Sequence, residues 1–338
     1  VSVVTYRPGS FEEYAWTFGG VRPVRTVQPG DVLQLWTEDC YAGKIRSADD
    51  LVSQVCEWPF LNPQTGPFFV EGARPGDTLA LHFVSIEPAS PFGAATTVPF
   101  FGALTSDAST VTLQDPLPEL VWMYDIDVAR GVCTYRARRS DLVLEFPLDP
   151  MHGTVGVAPA SFEARSALVP GAHGGNLDTP ELRAGVTAYF GVNVEGALFS
   201  LGDGHARQGE GEACGTGVEC AMNTVVIVEL LRGVATPWPR LESDTHLMSV
   251  GAARPLEDAY RVANVDLVDW VAEEYKLDRL DAYQIVAQLA TAPIAQVCNP
   301  IYTVVAKLPK ALLPSGQMYR GTHEALREQS ATYQAGRL

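Results

Sequence analysis

Two stretches near the start of the chain constrain its fold most. Residues 29–37 read PGDVLQLWT and residues 75–84 read PGDTLALHFV. In each, a Pro-Gly-Asp turn feeds a run in which apolar residues alternate with others. That period of two belongs to strands with one face buried. In the second run it puts Leu79, Leu81 and Phe83 on one side and Thr78, Ala80 and His82 on the other. A long helix would need the 3.6-residue period, and neither run has it.

The same grammar continues downstream. Residues 120–150 read as short strands with turns at ARG and RSD. Residues 187–204, TAYFGVNVEGALFSLGDG, read as two strands around a Glu-Gly turn, and 224–233, TVVIVELLRG, as another strand. A helical turn is expected at TPEL (179–182), capped by Thr179 and opened by Pro180. Helical periodicity arrives late, in VDLVDWVAEEYKL (265–277), capped by Asn264 or Asp266, and in LDAYQIVAQLATA (280–292). The expected fold is mainly β, sandwich- or barrel-like, with a few helices near the C-terminus. The expected organisation is one domain over residues 1–338, with an alternative of two β units at about 1–150 and 151–310. Residues 311–338 read as a polar tail.

Composition narrows the partners. The formal charge is 24 − 40 = −16, which repels phosphate backbones and argues against nucleic acid. The six cysteines, at 40, 56, 133, 214, 220 and 298, form no CxxC pair, so neither a zinc ribbon nor a disulfide scaffold is expected. The opening VSVVTYRPGSFEEY has no basic then apolar leader, and no apolar run is of spanning length. The expected setting is cytoplasmic, with no membrane partner.

The chemistry concentrates in residues 202–219, GDGHARQGEGEACGTGVE. On a continuing strand Asp203 and His205 share a side. Such a pair binds a divalent metal, or the Asp orients the His as a base, or the Asp closes a turn and the His is merely exposed. Glu210, Glu212 and Glu219 add acids to the same glycine-rich loop. Several carboxylates there repel one another unless solvent, a histidine or a cation offsets them. A second cluster, HGGNLD (173–178), adds Asn176 and Asp178, or forms an Asx-turn. Glu38 and Asp39 stand at the end of the first PGD strand. Cys214 is a candidate nucleophile or a small filler. No GxSxG elbow occurs, and no GxGxxG follows a strand in a βαβ setting.

HGGNLD (173–178) followed by FGVNVEGALFSLGDGHARQGEGEACGTGVE (190–219) resembles the central signature of the acetamidase/formamidase family. TEDCYAGKI (37–45), NPQTGPFFVEGARPGDTLALHFVSIEP (62–88), GTVGVAPA (153–160) and DAYQIVAQLATAPIAQVCNPIYTVVAKLPK (281–310) resemble its other segments, in the same order. The likeness spans roughly residues 24–310. It implies a β-rich hydrolase of short aliphatic amides, releasing carboxylate and ammonia. It also implies a homodimer or larger homo-oligomer and a divalent metal, zinc or calcium. The matching positions are Asn176, Asp178, Asp203, His205, Gln208 and Glu212, with Asp39 at an acidic motif position. On that basis Asp178, Asp203 and His205 are expected to hold the metal, with Asp39 as a fourth ligand. Glu212 is expected as general base then acid, and Asn176 and Gln208 as the groups that bind the amide. Two other readings stand beside it: a thiol amidohydrolase with Cys214 as nucleophile and His205 as base, and a non-catalytic small-ligand or metal-binding β protein.

Overall fold

A computed structural model of the chain describes residues 2–105, 113 and 115–337. Its main sheet has nine strands. In spatial order they are Val3–Tyr6, Val32–Thr37, Met222–Leu231, Thr78–Pro88, Thr187–Gly191, Arg240–Glu242, His246–Ala253, Tyr302–Pro309 and Ile294–Gln296. The sheet draws on both halves of the chain, so residues 1–150 and 151–310 share one hydrogen-bonded layer.

Both PGD aspartates hold their turns. Asp31 Oδ2 accepts from the Gln28 N–H at 2.8 Å, and Asp77 Oδ2 from the Arg74 N–H at 3.0 Å. The alternation that follows sorts as the sequence dictates. Leu79, Leu81 and Phe83 lie in the core on one face of the sheet, and Ala80 and Val84 in the core on the other.

The first of those faces packs against a second layer. Its five-stranded part runs Gly174–Asn176, Met151–Gly156, Phe199–His205, Gln64–Val70 and Arg25–Val27. Its four-stranded part runs Val143–Pro147, Val132–Arg136, Leu120–Asp127 and Phe92–Thr97. Val155, Phe199 and Leu201 meet Leu81, Phe83, Val226 and Val228 there in one buried cluster, which makes the body a β-sandwich. His152 ties the two layers. One ring nitrogen pairs with the Gly202 carbonyl at 2.8 Å and the other with Thr224 Oγ1 at 2.7 Å.

Helices cover the other face. The first long helix is Leu256–Tyr275, not a helix starting at 264–266. Pro255 stands at its N-cap, and Glu257 and Asp258 face the positive end of the helix dipole in the first turn. Asp266 is therefore interior and caps nothing. It is buried and accepts from Arg240 Nε at 2.8 Å, Arg240 Nη2 at 2.9 Å and Ser249 Oγ at 2.7 Å. The next helix, Arg279–Leu289, is capped by Asp278, whose side chain accepts from the Leu280 N–H. Residues 179–182 form turns and no helix. The last residues are better anchored than their polarity suggests: Thr322–Gln334 is a helix with His323 and Leu326 buried. No described helix is long and apolar enough to cross a membrane.

Candidate active site

The site lies where the five-stranded part meets its following loops. Asp203 and His205 end the strand Phe199–His205, and Asn176 ends Gly174–Asn176. Between them runs Met151–Gly156, in which Thr154 is opposite both Asn176 and Gly202. Sheet register thus brings the two sequence clusters together. Gly153 permits the close approach: a Cβ there would overlap Asp178 Oδ1 and Asp203 Oδ2. Asp178, Asp203 and Glu212 all have left-handed backbones, with φ of 46°, 56° and 42°. For non-glycine residues this costs of order 1–3 kcal/mol each, and such strain concentrates at functional sites.

The loop after His205 is not a solvated flap. A parallel bridge pairs Gly211 with Gln296, the Gly211 N–H donating to the Ala295 carbonyl at 3.0 Å. Glu212 is thereby set against the C-terminal segment, where the Cys298 thiol donates to its Oε2 at 3.2 Å. Asn299, from the same segment, donates to Asp178 Oδ2 at 2.6 Å. On the return, Glu219 pairs with His205 in a backbone bridge and its Oε2 lies 3.1 Å from His205 Nε2. Asp203 Oδ1 lies 3.4 Å from the same nitrogen.

Four carboxyl groups, Asp178, Asp203, Glu212 and Glu219, are thus buried around one imidazole. Burial pushes the Asp178 carboxyl well above the usual range, and the charges of Glu212 and Asp203 add to it. Burial pushes Glu212 up to about 8, with Glu219 and Asp203 adding and His205 opposing. Burial likewise raises Glu219. Burial opposes ionisation of Asp203 too, but His205 outweighs it and holds that carboxyl low. For His205, burial alone would favour the neutral ring, and the Glu219 and Asp203 carboxylates override it.

A divalent cation fits this set. Ligand atoms of Asp178, His205 and Glu212 lie within 4.8 Å of one another, as do those of Cys40, Asp203 and Glu219. Asp178 Oδ1 is buried with no hydrogen-bond partner, and His205 Nε2 and Glu219 Oε2, likewise buried, make the ion-pair contact with each other at 3.1 Å. Oxygen donors with one imidazole suit zinc, and the oxygen-rich part also suits calcium.

Not every expected residue takes its expected place. Asp39 is turned into its own loop, its Oδ1 accepting from the Tyr41 and Gly43 N–H groups at 2.9 Å each. Its neighbour Cys40 is the one grouped with Asp203 and Glu219. Gln208 is also committed. Its Nε2 donates to the Asp178 carbonyl at 2.7 Å and the Ala295 carbonyl at 3.2 Å, and its Oε1 lies 2.8 Å from His205 Nδ1. It supports the histidine and has no amide group left for a ligand. Asn176 does line the open cavity beside the acids. Its Oδ1 accepts from Asn62 Nδ2 at 3.1 Å and from the Thr154 hydroxyl, which leaves its Nδ2 for a ligand. His173 packs edge-on against Phe18, and burial pushes its ring down to about 4. Cys214 is exposed and donates to the Thr216 carbonyl. With Gln208 on Nδ1 and carboxylates facing Nε2, His205 has no nitrogen for it.

The model of the Acetamidase/Formamidase family matches residues 16–163 and 159–272, so Asp178, Asp203, His205, Glu212 and Glu219 lie inside the family match and the segment carrying Cys298 and Asn299 lies beyond it. The chain belongs to that family. Among solved structures, the acetamidase from Yersinia enterocolitica is 37% identical over 93% of each chain, with a TM-score of 0.87. A predicted acetamidase/formamidase from Thermoanaerobacter tengcongensis is 32% identical over 92% of this chain and 97% of that one, with a TM-score of 0.80. A γ-lactamase from Delftia acidovorans, 18% identical with a TM-score of 0.56, shares the fold over 94% of each chain. Curated proteins gave no match. Family membership makes amide hydrolysis the chemistry that this cluster of acids has to explain.

Proposed function

We propose that the chain hydrolyses the C–N bond of a carboxamide, of which formamide and acetamide are the smallest, to a carboxylate and ammonia. The observation that carries this reading is the buried set of four carboxyl groups around His205, with Asp178 Oδ1 left without a partner. Asp178 and His205, with Asp203 beside them, would hold a divalent cation, zinc or calcium. When bound, such a cation lowers the pKa of water and polarises a carbonyl oxygen.

The chain's own residues supply the rest. Glu212 takes the proton of the attacking water and passes it to the leaving nitrogen. A carboxyl pushed up to about 8 is well matched to both transfers near neutral pH. Cys298 holds Oε2 of that carboxyl and leaves Oε1 to exchange the proton. Asn176 Nδ2 donates to the amide oxygen, its rotation fixed by Asn62 and Thr154 on the opposite atom. Burial of the cluster keeps bulk water from competing for these contacts.

The deciding experiment is ammonia release from formamide, acetamide and propionamide, with metal analysis of the same sample before and after chelation. Release that falls with the metal and returns on adding zinc or calcium is the expected result. Bound metal without release from any amide would point to a binding protein instead, and activity indifferent to chelation would remove the cation from the reading.

A further inference from the structure

The acid cluster occupies one part of a cavity far larger than acetamide needs. The cavity has a volume of about 640 Å³. Acetamide displaces roughly three water molecules, each with a liquid share of about 30 Å³. Pockets of roughly 300–1,000 Å³ are the size that encloses drug-sized ligands.

The lining is divided. Asn62, Asn176, Asp203, Glu212, Glu219 and Asn299 gather the amide and carboxyl groups of the lining at the end near His205. Polar side chains elsewhere on the wall are satisfied among themselves or by neighbours. Tyr41 pairs with Thr96 at 3.0 Å, and Ser53 Oγ donates to Glu119 at 2.7 Å. The remaining wall includes Val52, Trp58, Leu61, Val98, Phe101 and Leu168. No Lys or Arg is among the described lining residues, so none of them receives an anionic substituent, and the carboxylates repel one.

We propose that the substrate is a primary amide of an apolar carboxylic acid, medium-chain or aryl, whose acyl group lies on this wall while its carboxamide meets Asn176 and Glu212. The proposal rests on the amide-hydrolase reading and adds what lies on the far side of the carbonyl. Apolar area buried equally in ground and transition states raises kcat/KM and not kcat.

The test measures kcat/KM of the zinc-supplemented protein for acetamide, butyramide, hexanamide and phenylacetamide, with succinamate as the anionic control. The expected result is a rise of roughly three- to fourfold per added methylene, and no turnover of succinamate. Val98→Trp narrows the apolar wall without touching the acid cluster. It should lower hexanamide turnover roughly tenfold and leave acetamide within about twofold. Leu168→Trp, made alongside, should show the same split, so that misfolding of one variant does not decide the outcome. Acetamide turned over with kcat/KM flat or falling along the series overturns the acyl proposal and leaves amide hydrolysis standing. No turnover across the series overturns both. Succinamate turned over as fast as butyramide also overturns the proposal.

Discussion

Gln208 Oε1 and His205 Nδ1 lie 2.8 Å apart, three residues from each other in one loop. Because Gln208 Nε2 donates to two backbone carbonyls, its oxygen is the atom that faces the ring. Nδ1 then carries a proton, and Nε2 is the nitrogen that faces the Asp203 and Glu219 carboxylates, which hold the metal-free ring protonated; a cation there takes the place of the Nε2 proton. Replacing Gln208 with Leu should lower zinc affinity about 10–100-fold, the usual effect of losing a group that orients a ligating histidine. Zinc titration against a competing chelator measures this. Unchanged affinity would make Gln208 a simple loop brace.

Glu212 is close enough to Asp178 and His205 to be a ligand as well as a base. Glu212→Gln separates the roles. As a base, its loss should leave bound metal intact and reduce kcat by about 10²–10⁴-fold. Loss of metal in the same variant would make Glu212 a ligand and move the proton to another group.

Gly153 has no room for a side chain between Asp178 and Asp203. Gly153→Ala should force the two carboxyl groups apart, destabilising the fold by about 1–3 kcal/mol and removing metal. Denaturant unfolding and metal analysis on the same preparation check it. A variant that keeps both full stability and metal would show that this strand shifts freely.

The acid cluster also sets a pH dependence. Glu212 rises from an ordinary 4.5 to about 8 on folding, and Asp178 and Glu219 shift in the same direction. The folded state therefore holds protons that the unfolded chain releases, so stability falls as pH rises. His205, also raised, acts with the same sign, losing its contribution as pH rises through its folded value. Asp203, lowered, has the opposite sign, but its loss comes below the ordinary 3.8 of an aspartate. His82, His152 and His173, pushed down to about 4, have the opposite sign between that value and the ordinary 6.5, so the window lies above them: metal-free protein should melt lower at pH 8.5 than at pH 7, by roughly 2 °C or more, and zinc should flatten the slope. A metal-free melting temperature that rises over this range would contradict the buried cluster.

Far from the site, Arg240 and Asp266 form a buried two-point ion pair beneath the first long helix. Asp266→Ala leaves the guanidinium without its charge partner and should cost about 3–5 kcal/mol in chemical denaturation. A cost under about 1 kcal/mol would mean that Tyr319, which accepts from Arg240 Nη1 at 2.8 Å, suffices alone.

Much of this molecule is legible in its sequence, because the legible parts are local. The alternation from Thr78 to Phe83 sorts those side chains between two cores, since successive strand residues must point oppositely. Asp203 and His205 are paired by a spacing of two on one strand, and the glycines around Asp178 announce a close approach. The start of the helix at Leu256 is masked because its first turns, LEDAYRVAN, bury only the small Ala259 and Ala263, and the cap is a proline. Tertiary structure alone decides the rest. Cys40, Asn62 and the Cys298–Asn299 pair come from segments that no short-range spacing connects to residues 202–219, and only sheet register and the Gly211–Gln296 bridge bring them together. Asp39 and Cys40 are neighbours in sequence, yet a turn directs one carboxylate to its own backbone and groups the adjacent thiol with Asp203 and Glu219. The sequence lists the acids. Burying four of them around one imidazole, where charge is costly without a counterion, is a property of the folded chain.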